Sequence, residues 1–230
     1  MTELVDALRT TGAAREFLPE AVDDATVARL LDTARFAPSG GNRQGWRVVV
    51  LRNPEVRQQV RDLYLAGWYE YLAQGKHGLV PWAPITDRAA EARAITEDAP
   101  AMAAAAAAGP GGFAQHIDRV PVLLVLLADL RCLAAVDRDL ARYTFAGGAS
   151  IYPFAWNLLL AARAEGLGGV MTTMPIRQEP AMKALLHVPD ELAIAGLIAL
   201  GRPVHQPTKL RRAAVAEFTT VDTFDGDEFG

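Results

Sequence analysis

The bulkiest apolar runs of this chain, with no polar side chain in either, are residues 120–128 (Val-Pro-Val-Leu-Leu-Val-Leu-Leu-Ala) and residues 192–200 (Leu-Ala-Ile-Ala-Gly-Leu-Ile-Ala-Leu). Both fall well short of the ~20 apolar residues a membrane helix needs. Neither alternates apolar with polar residues, as a strand with one wet face would. They therefore read as strands buried on both faces, and such strands need helices above and below them. With 230 residues, 51% of them hydrophobic, the chain can build one such core but not several.

The rest of the pattern fits that frame. A β-branched run at residues 46–51 and a short one at 170–173 supply two more strands. Asp23 or Asp24 can cap a helix whose apolar positions Val27, Leu30, Leu31 and Ala34 follow the helical repeat. Pro38 stops it. Asn53-Pro54 opens a second helix with Val56, Val60, Leu63 and Tyr64 on its apolar face. A third helix, residues 150–165, carries Ile151, Phe154, Ala155, Leu158 and Ala162 on one stripe and ends at Gly166. A short one follows at 181–186. The expectation is a single domain over residues 1–230, an α+β helix–sheet–helix sandwich in three layers. Between 68 and 118 the pattern loosens, with Trp68, Tyr69, Tyr71, Trp82 and Phe113 scattered among prolines, glycines and an alanine run at 101–108. That stretch reads as a lid-like, partly helical insertion. Residues 201–230 read as a C-terminal arm, basic as far as Arg212 and acidic beyond it.

Composition narrows the chemistry by exclusion. A net charge of −4 offers no electrostatic footprint for nucleic acid or an anionic membrane. The lone Cys132 excludes an internal disulfide and a cysteine zinc site, as suits a reducing cytoplasm. Residues 1–10 carry Glu3, Asp6 and Arg9 with no apolar stretch, so they do not read as a signal peptide, and the protein is expected to be soluble and cytoplasmic. His77, His116, His187 and His205 lack partners at metal-ligand spacing, so no metal is expected. No G-x-S-x-G elbow is present. Gly166-Leu167-Gly168-Gly169 follows a helix and precedes a strand, the reverse of a dinucleotide-binding turn. With no acid–base or nucleophile set of its own, an enzyme of this sequence would depend on a cofactor.

The segment Ala37-Pro38-Ser39-Gly40-Gly41-Asn42-Arg43-Gln44-Gly45-Trp46-Arg47, running from a helix into a strand, resembles the A-P-S-x-x-N-x-Q-x-W segment of the nitroreductase family. Further landmarks follow in that family's order: Arg15-Glu16-Phe17, the helix at 150–165, Gly166-Leu167-Gly168 leading to Thr172-Thr173, Gly201-Arg202-Pro203, and Arg212 followed by Val215 and Glu217. The likeness covers nearly the whole chain except residues 68–118.

The resemblance implies a mainly antiparallel sheet, an intertwined homodimer and one FMN in each of two clefts between protomers, with NAD(P)H as electron donor. It places Arg15 beside the edge of the flavin where negative charge builds on reduction. It brings Pro38, Ser39, Asn42 and, as a brace or a contact, Gln44 from the partner subunit. Thr172 and Thr173 would run along the flavin N5 side, and Arg212 would bind the phosphate, with Lys209 as a neighbour able to share that role. One departure stands out. The family usually has an arginine for the phosphate just before the Arg15 position, where this chain has Thr11 and Gly12. Losing such a contact costs about 1.5–3 kcal/mol. Hydroxyls of Thr10 and Thr11, the Gly12 N–H, Arg9 or Lys209 are candidates to replace it.

On this reading the reaction is reduction of an electron-poor small molecule (a nitroaromatic, quinone or activated alkene) by hydride transfer through flavin N5, with no side chain required as general acid. Trp68, Tyr69, Tyr71, Trp82 and Phe113 would form the substrate pocket. Two alternatives remain at this level: a flavin-dependent dehydrogenase or dehalogenase of a biosynthetic pathway, and a degenerate FMN-binding or scaffold protein.

Overall fold

The computed structural model describes residues 3–230. Both apolar runs are central strands of one four-stranded sheet, built from β1 (Trp46–Leu51), β2 (Val122–Asp129), β3 (Gly168–Thr172) and β4 (Leu192–Gly201). The strand order is β1-β2-β4-β3, and each neighbouring pair is antiparallel. Among the described residues six α-helices surround it: α1 (Leu4–Thr10), α2 (Asp24–Ala34), α3 (Pro54–Lys76), α4 (Arg88–Ala107), α5 (Tyr152–Ala164) and α6 (Glu179–Leu186).

The alternation of side chains along a strand explains why the central runs contain nothing polar. Val122, Leu124, Leu126 and Ala128 point to one face, where they pack with Val27 and Leu30 of α2 and Phe154 and Leu158 of α5. Leu123, Val125 and Leu127 point to the other face and meet Val60 and Tyr64 of α3 and Met182 of α6. Both faces of β2 are thus covered, which gives the three-layer α+β sandwich. A bulge between Leu126 and Leu127 breaks the register with β4 near Gly196.

Local signals are honoured where capping chemistry was visible. The Asp23 carboxylate accepts the Thr26 N–H at 2.6 Å, and the Asn53 side chain accepts the Val56 N–H at 3.0 Å. Two differences from the sequence pattern concern helices. α1 lies within residues that showed only the lack of a leader-like apolar run. The stretch from residue 68 opens inside a regular helix, since α3 continues to Lys76, and α4 follows with Pro100 inside it. Dense aromatics and prolines hid how far α3 runs and how long α4 is, and the two helices pack on each other. Among the described residues no helix is long and apolar enough to cross a membrane.

Candidate functional site

The site is assembled at the β3 edge of the sheet. Residues 12–17 run alongside β3 and the start of the C-terminal arm: the Ala14 N–H donates to Gly169 O at 3.0 Å, Phe17 bridges Pro203, and the Val204 N–H donates to Glu16 O at 3.0 Å. Gly168 makes this approach possible, because a Cβ there would lie 2.9 Å from Ala14 Cβ and 2.8 Å from Gln206 Oε1. Arg15 is thereby carried on the sheet edge.

Beyond Thr172 the chain turns into a short 3-10 segment, Met174–Gln178, that lies against α3. Here Gly67 removes the obstacle, since a Cβ would stand 2.8 Å from Met174 O. The close approach sets Thr172 and Thr173 opposite Tyr64, Trp68 and Tyr71, which share one face of α3 at i, i+4 and i+7. Together with Arg15 and Phe113 they line a cavity of about 540 Å³. Its aromatic wall is ordered. Trp68 stacks on Tyr71 with ring centres 5.5 Å apart and planes at 6°, and Tyr64 stacks on Trp68 at 6.3 Å and 21°. Burial pushes the Tyr64 phenol upward from its ordinary pKa, while the Thr172 hydroxyl and the Arg15 charge, which line the same cavity, oppose that rise.

The other expected site residues lie elsewhere. Pro38, Asn42 and Gln44 are exposed in the turn before β1, at the opposite edge of the sheet. With β2 and β4 intervening, that edge is roughly 14 Å away from β3 across the ladder. The turn is internally braced: the Gln44 N–H donates to Ser39 Oγ at 3.0 Å, and Gln44 Nε2 donates to Asn42 O and Oδ1, each at 3.2 Å. Asn42 and Gln44 both have left-handed backbones, with φ of 53° and 51°. Asn tolerates that region, whereas Gln is seldom found there.

Three of the five candidates to replace the missing arginine are already engaged. The Gly12 N–H donates to Pro207 O at 3.1 Å, the Thr11 hydroxyl to Ala7 O and the Thr10 hydroxyl to Asp6 O, each at 2.6 Å. Gly12 instead has a steric part, as a Cβ would come within 2.7 Å of Pro207 O. Lys209 and Arg212 are exposed on the arm, and Arg212 Nη1 donates only to Arg211 O, at 2.8 Å, among the described residues. Of the five aromatics expected in the pocket, Trp68, Tyr71 and Phe113 line the cavity. Tyr69 accepts a hydrogen bond from Gln115, which itself lines it, and Trp82 flanks the stack beneath Arg177. Sequence reasoning assigned Tyr64 only to the core face of its helix. The i, i+4, i+7 spacing of Tyr64, Trp68 and Tyr71 was the signal that it belongs to the same wall.

Comparison with known proteins gives a consistent result. A family model described as the nitroreductase family matches residues 8–202. The chain is 27% identical over 192 residues to an NADH dehydrogenase of Thermus thermophilus, covering 84% of this chain and 82% of that protein. It is also 27% identical over 201 residues to a 5,6-dimethylbenzimidazole synthase of Rhodobacter capsulatus, covering 87% and 83%. In three dimensions it is similar to the NADPH:FMN oxidoreductase of Vibrio harveyi complexed with NAD+, with a TM-score of 0.63, 18% identity, and coverage of 95% of this chain and 77% of that one.

Proposed function

The chain belongs to the nitroreductase family, whose model it matches over residues 8–202, and from that premise we propose that it is an FMN-dependent NAD(P)H oxidoreductase that reduces an electron-poor small molecule. The observation that carries this reading is the cleft at the β3 edge. It combines a flat aromatic wall, a hydroxyl-bearing floor and a guanidinium in one cavity of about 540 Å³. Among the described residues no carboxylate lies within ion-pair distance of Arg15, Lys209 or Arg212, so their positive charge is not cancelled locally. A planar ring with an anionic tail matches that set of groups. The chemistry FMN supplies when bound is two-electron transfer from a reduced nicotinamide to an acceptor.

The residues of this chain have distinct parts in that scheme. Arg15 stabilises negative charge at one edge of the ring. Thr172 and Thr173 offer hydroxyl and backbone donors along another. Trp68, Tyr71 and Phe113 exclude water and provide a stacking surface for a planar acceptor. With the donors at Thr11 and Gly12 engaged, holding the phosphate falls to Lys209 and Arg212. The turn containing Pro38, Ser39, Asn42 and Gln44 reaches the cleft of a second copy, and the active species is a homodimer. Exposed apolar side chains on α1 (Leu4, Val5 and Leu8), on α5 (Tyr152 and Trp156) and along the arm (Phe218, Phe224) give that dimer a surface to bury.

The test is the visible spectrum of the purified protein with added FMN, before and after anaerobic addition of NADPH or NADH. Flavin absorbance that bleaches supports the oxidoreductase. Bound flavin that neither nicotinamide bleaches favours the dehydrogenase or dehalogenase reading, and failure to take up FMN favours the scaffold reading.

A further inference from the structure

The open space does not end at Phe113. Arg15, Gly112 and Phe113 also line a second cavity, of about 410 Å³. Pro19, Arg119, Val120 and Pro121 are shared between that one and a third, of about 510 Å³. The series begins at Tyr64 and Trp68 on α3 and ends at Pro54 and Arg57, at the start of the same helix. From Arg57 to Trp68 the axis of α3 advances about 16 Å. The sheet gives a similar length. Pro121 lies against Gly201, which pairs with Gly168, and Thr172 stands at the other end of β3, roughly 13 Å away.

Charge is unbalanced at the far end. Both acidic residues of the third cavity are already paired, Glu20 with Arg202 at 2.7 Å and Asp118 with Arg61 at 3.3 Å, and Arg52 is paired with Asp24. Arg57 and Arg119 line the same cavity, and among the described residues no carboxylate stands within ion-pair distance of either. Glu16 and His116 belong to the middle cavity. Arg57 is half-buried and held in place by a hydrogen bond from Nη2 to Val120 O, while its buried Nε has no partner. Burial pulls this guanidinium below its ordinary pKa, and the Asp118 charge opposes that fall. An arginine in a protein nonetheless stays charged. A fixed, partly buried cation here lacks a counter-ion.

A ligand that fills the whole series has a flat ring at one end and an anion at the other. A single-ring acceptor is too short for that, whereas a dinucleotide has the length. Two guanidiniums suit a phosphate monoester, because arginine binds phosphate oxygens in pairs. NADPH differs from NADH only in such a group, the 2′-phosphate on the adenosine ribose. Pro19, Pro54 and Pro121 give the cavity apolar walls for the base beside it. Resting on the oxidoreductase reading above, we propose that the cavity holding Arg57 and Arg119 is a 2′-phosphate subsite, which makes NADPH the preferred electron donor over NADH.

The test is calorimetric titration of the full chain, loaded with FMN, with NADP+, NAD+, adenosine 2′,5′-bisphosphate and 5′-AMP. NADP+ should bind at least about tenfold more tightly than NAD+, and the bisphosphate should exceed 5′-AMP by a similar factor, as one charge-assisted contact gives. Arg119→Ala should abolish both preferences while keeping the melting temperature and FMN stoichiometry of the wild type. Arg57→Lys, which keeps a charge but not the fork, should weaken both. Equal wild-type affinities for NADP+ and NAD+ overturn the assignment, as does a preference that survives in Arg119→Glu. An Arg119→Ala protein that sheds FMN overturns it too, because the anion held there is then the phosphate of the flavin itself. Flavin bleached equally well by NADH and NADPH leaves the oxidoreductase reading standing and removes only this subsite. A wild-type protein that takes up no FMN is a different result: it overturns the flavin reading, and this assignment with it.

Discussion

The β3 edge and the β1 edge of the sheet differ in shape, burial and strain, although the sequence resemblance assigns residues of both to a single site. The β3 edge is concave and drawn tight by Gly67 and Gly168, each of which admits a neighbour that a Cβ would block. The β1 edge presents a convex turn, exposed at Pro38, Asn42 and Gln44, with two non-glycine residues in the left-handed region. Strain of that kind persists only where surrounding contacts hold it. Here the Ser39, Asn42 and Gln44 hydrogen bonds do so, and the Gly40 N–H is anchored on Ser150 Oγ at 3.1 Å. A cavity at one edge and a braced projection at the other cannot meet within one chain. In the homodimer proposed above, a second copy would join them.

The largest effect expected from that picture is loss of flavin when the two copies are kept apart. Trp156 is 39% exposed on α5. Trp156→Glu places a charge on this surface, and the variant should elute as a monomer and hold FMN at least about a hundredfold more weakly, an energy near 2.7 kcal/mol. Gel filtration with simultaneous detection at flavin wavelengths measures both, and a fully flavinated monomer would break the two-edge picture. A smaller effect separates neighbours on the arm. Arg212→Ala should weaken FMN binding about ten- to a hundredfold, the range of one charge-assisted contact, while Arg211→Ala should change it little. Equal losses by fluorescence titration would move the phosphate elsewhere.

How far each edge could be read from sequence follows from the same contrast. The sandwich was legible because β2 and β4 are apolar on both faces, which leaves no other arrangement for residues such as Leu123 and Leu124. The caps at Asp23 and Asn53 were legible because capping is local chemistry. The arrangement of the cleft was not. Tyr64 looks like any core residue until Gly67 brings Met174 and Thr172 up to the same helix, and nothing local in the sequence reports that approach. The engagement of the Gly12 N–H by Pro207 was hidden for a similar reason, since it pairs segments nearly two hundred positions apart. Aromatic density and prolines likewise concealed that α3 runs on to Lys76.

The close approach at Gly67 can be measured against a control on the same helix. Gly67→Ala forces a methyl against Met174 O, and overpacking of this kind costs about 1–3 kcal/mol. Gly75 has nothing within 4 Å of a Cβ, so Gly75→Ala should be neutral or stabilising by up to about 1 kcal/mol. Gly67→Ala should melt below the wild type, and Gly75→Ala at or above it. If Gly67→Ala melts like the wild type, the contact between α3 and the Met174 segment does not hold the cleft together.

The last effect bears on fold stability rather than on flavin binding, and it belongs to a loop near the β1 edge. Asp137, 3% exposed, accepts hydrogen bonds from Thr144 Oγ1 at 2.6 Å, the Phe145 N–H at 2.9 Å and Arg142 Nη1 at 2.8 Å. The Thr144 hydroxyl first, then the Phe145 amide and the Arg142 guanidinium, hold its carboxyl far below the usual carboxylate range. A group whose folded pKa is depressed stabilises the fold at every pH above its unfolded value, about 3.9, and loses that contribution as pH falls from there toward the folded pKa. The contribution of Asp137 to stability should therefore be flat from pH 8 to pH 5 and decline only below about pH 4. Asp137→Asn should remove part of that acid-limb decline in melts recorded from pH 7 down to pH 3. A wild-type and a variant whose stabilities fall in parallel across that range would show that the ionised carboxylate is not what orders residues 137–146. The β1 edge would then owe its shape to the hydrogen bonds of the turn alone.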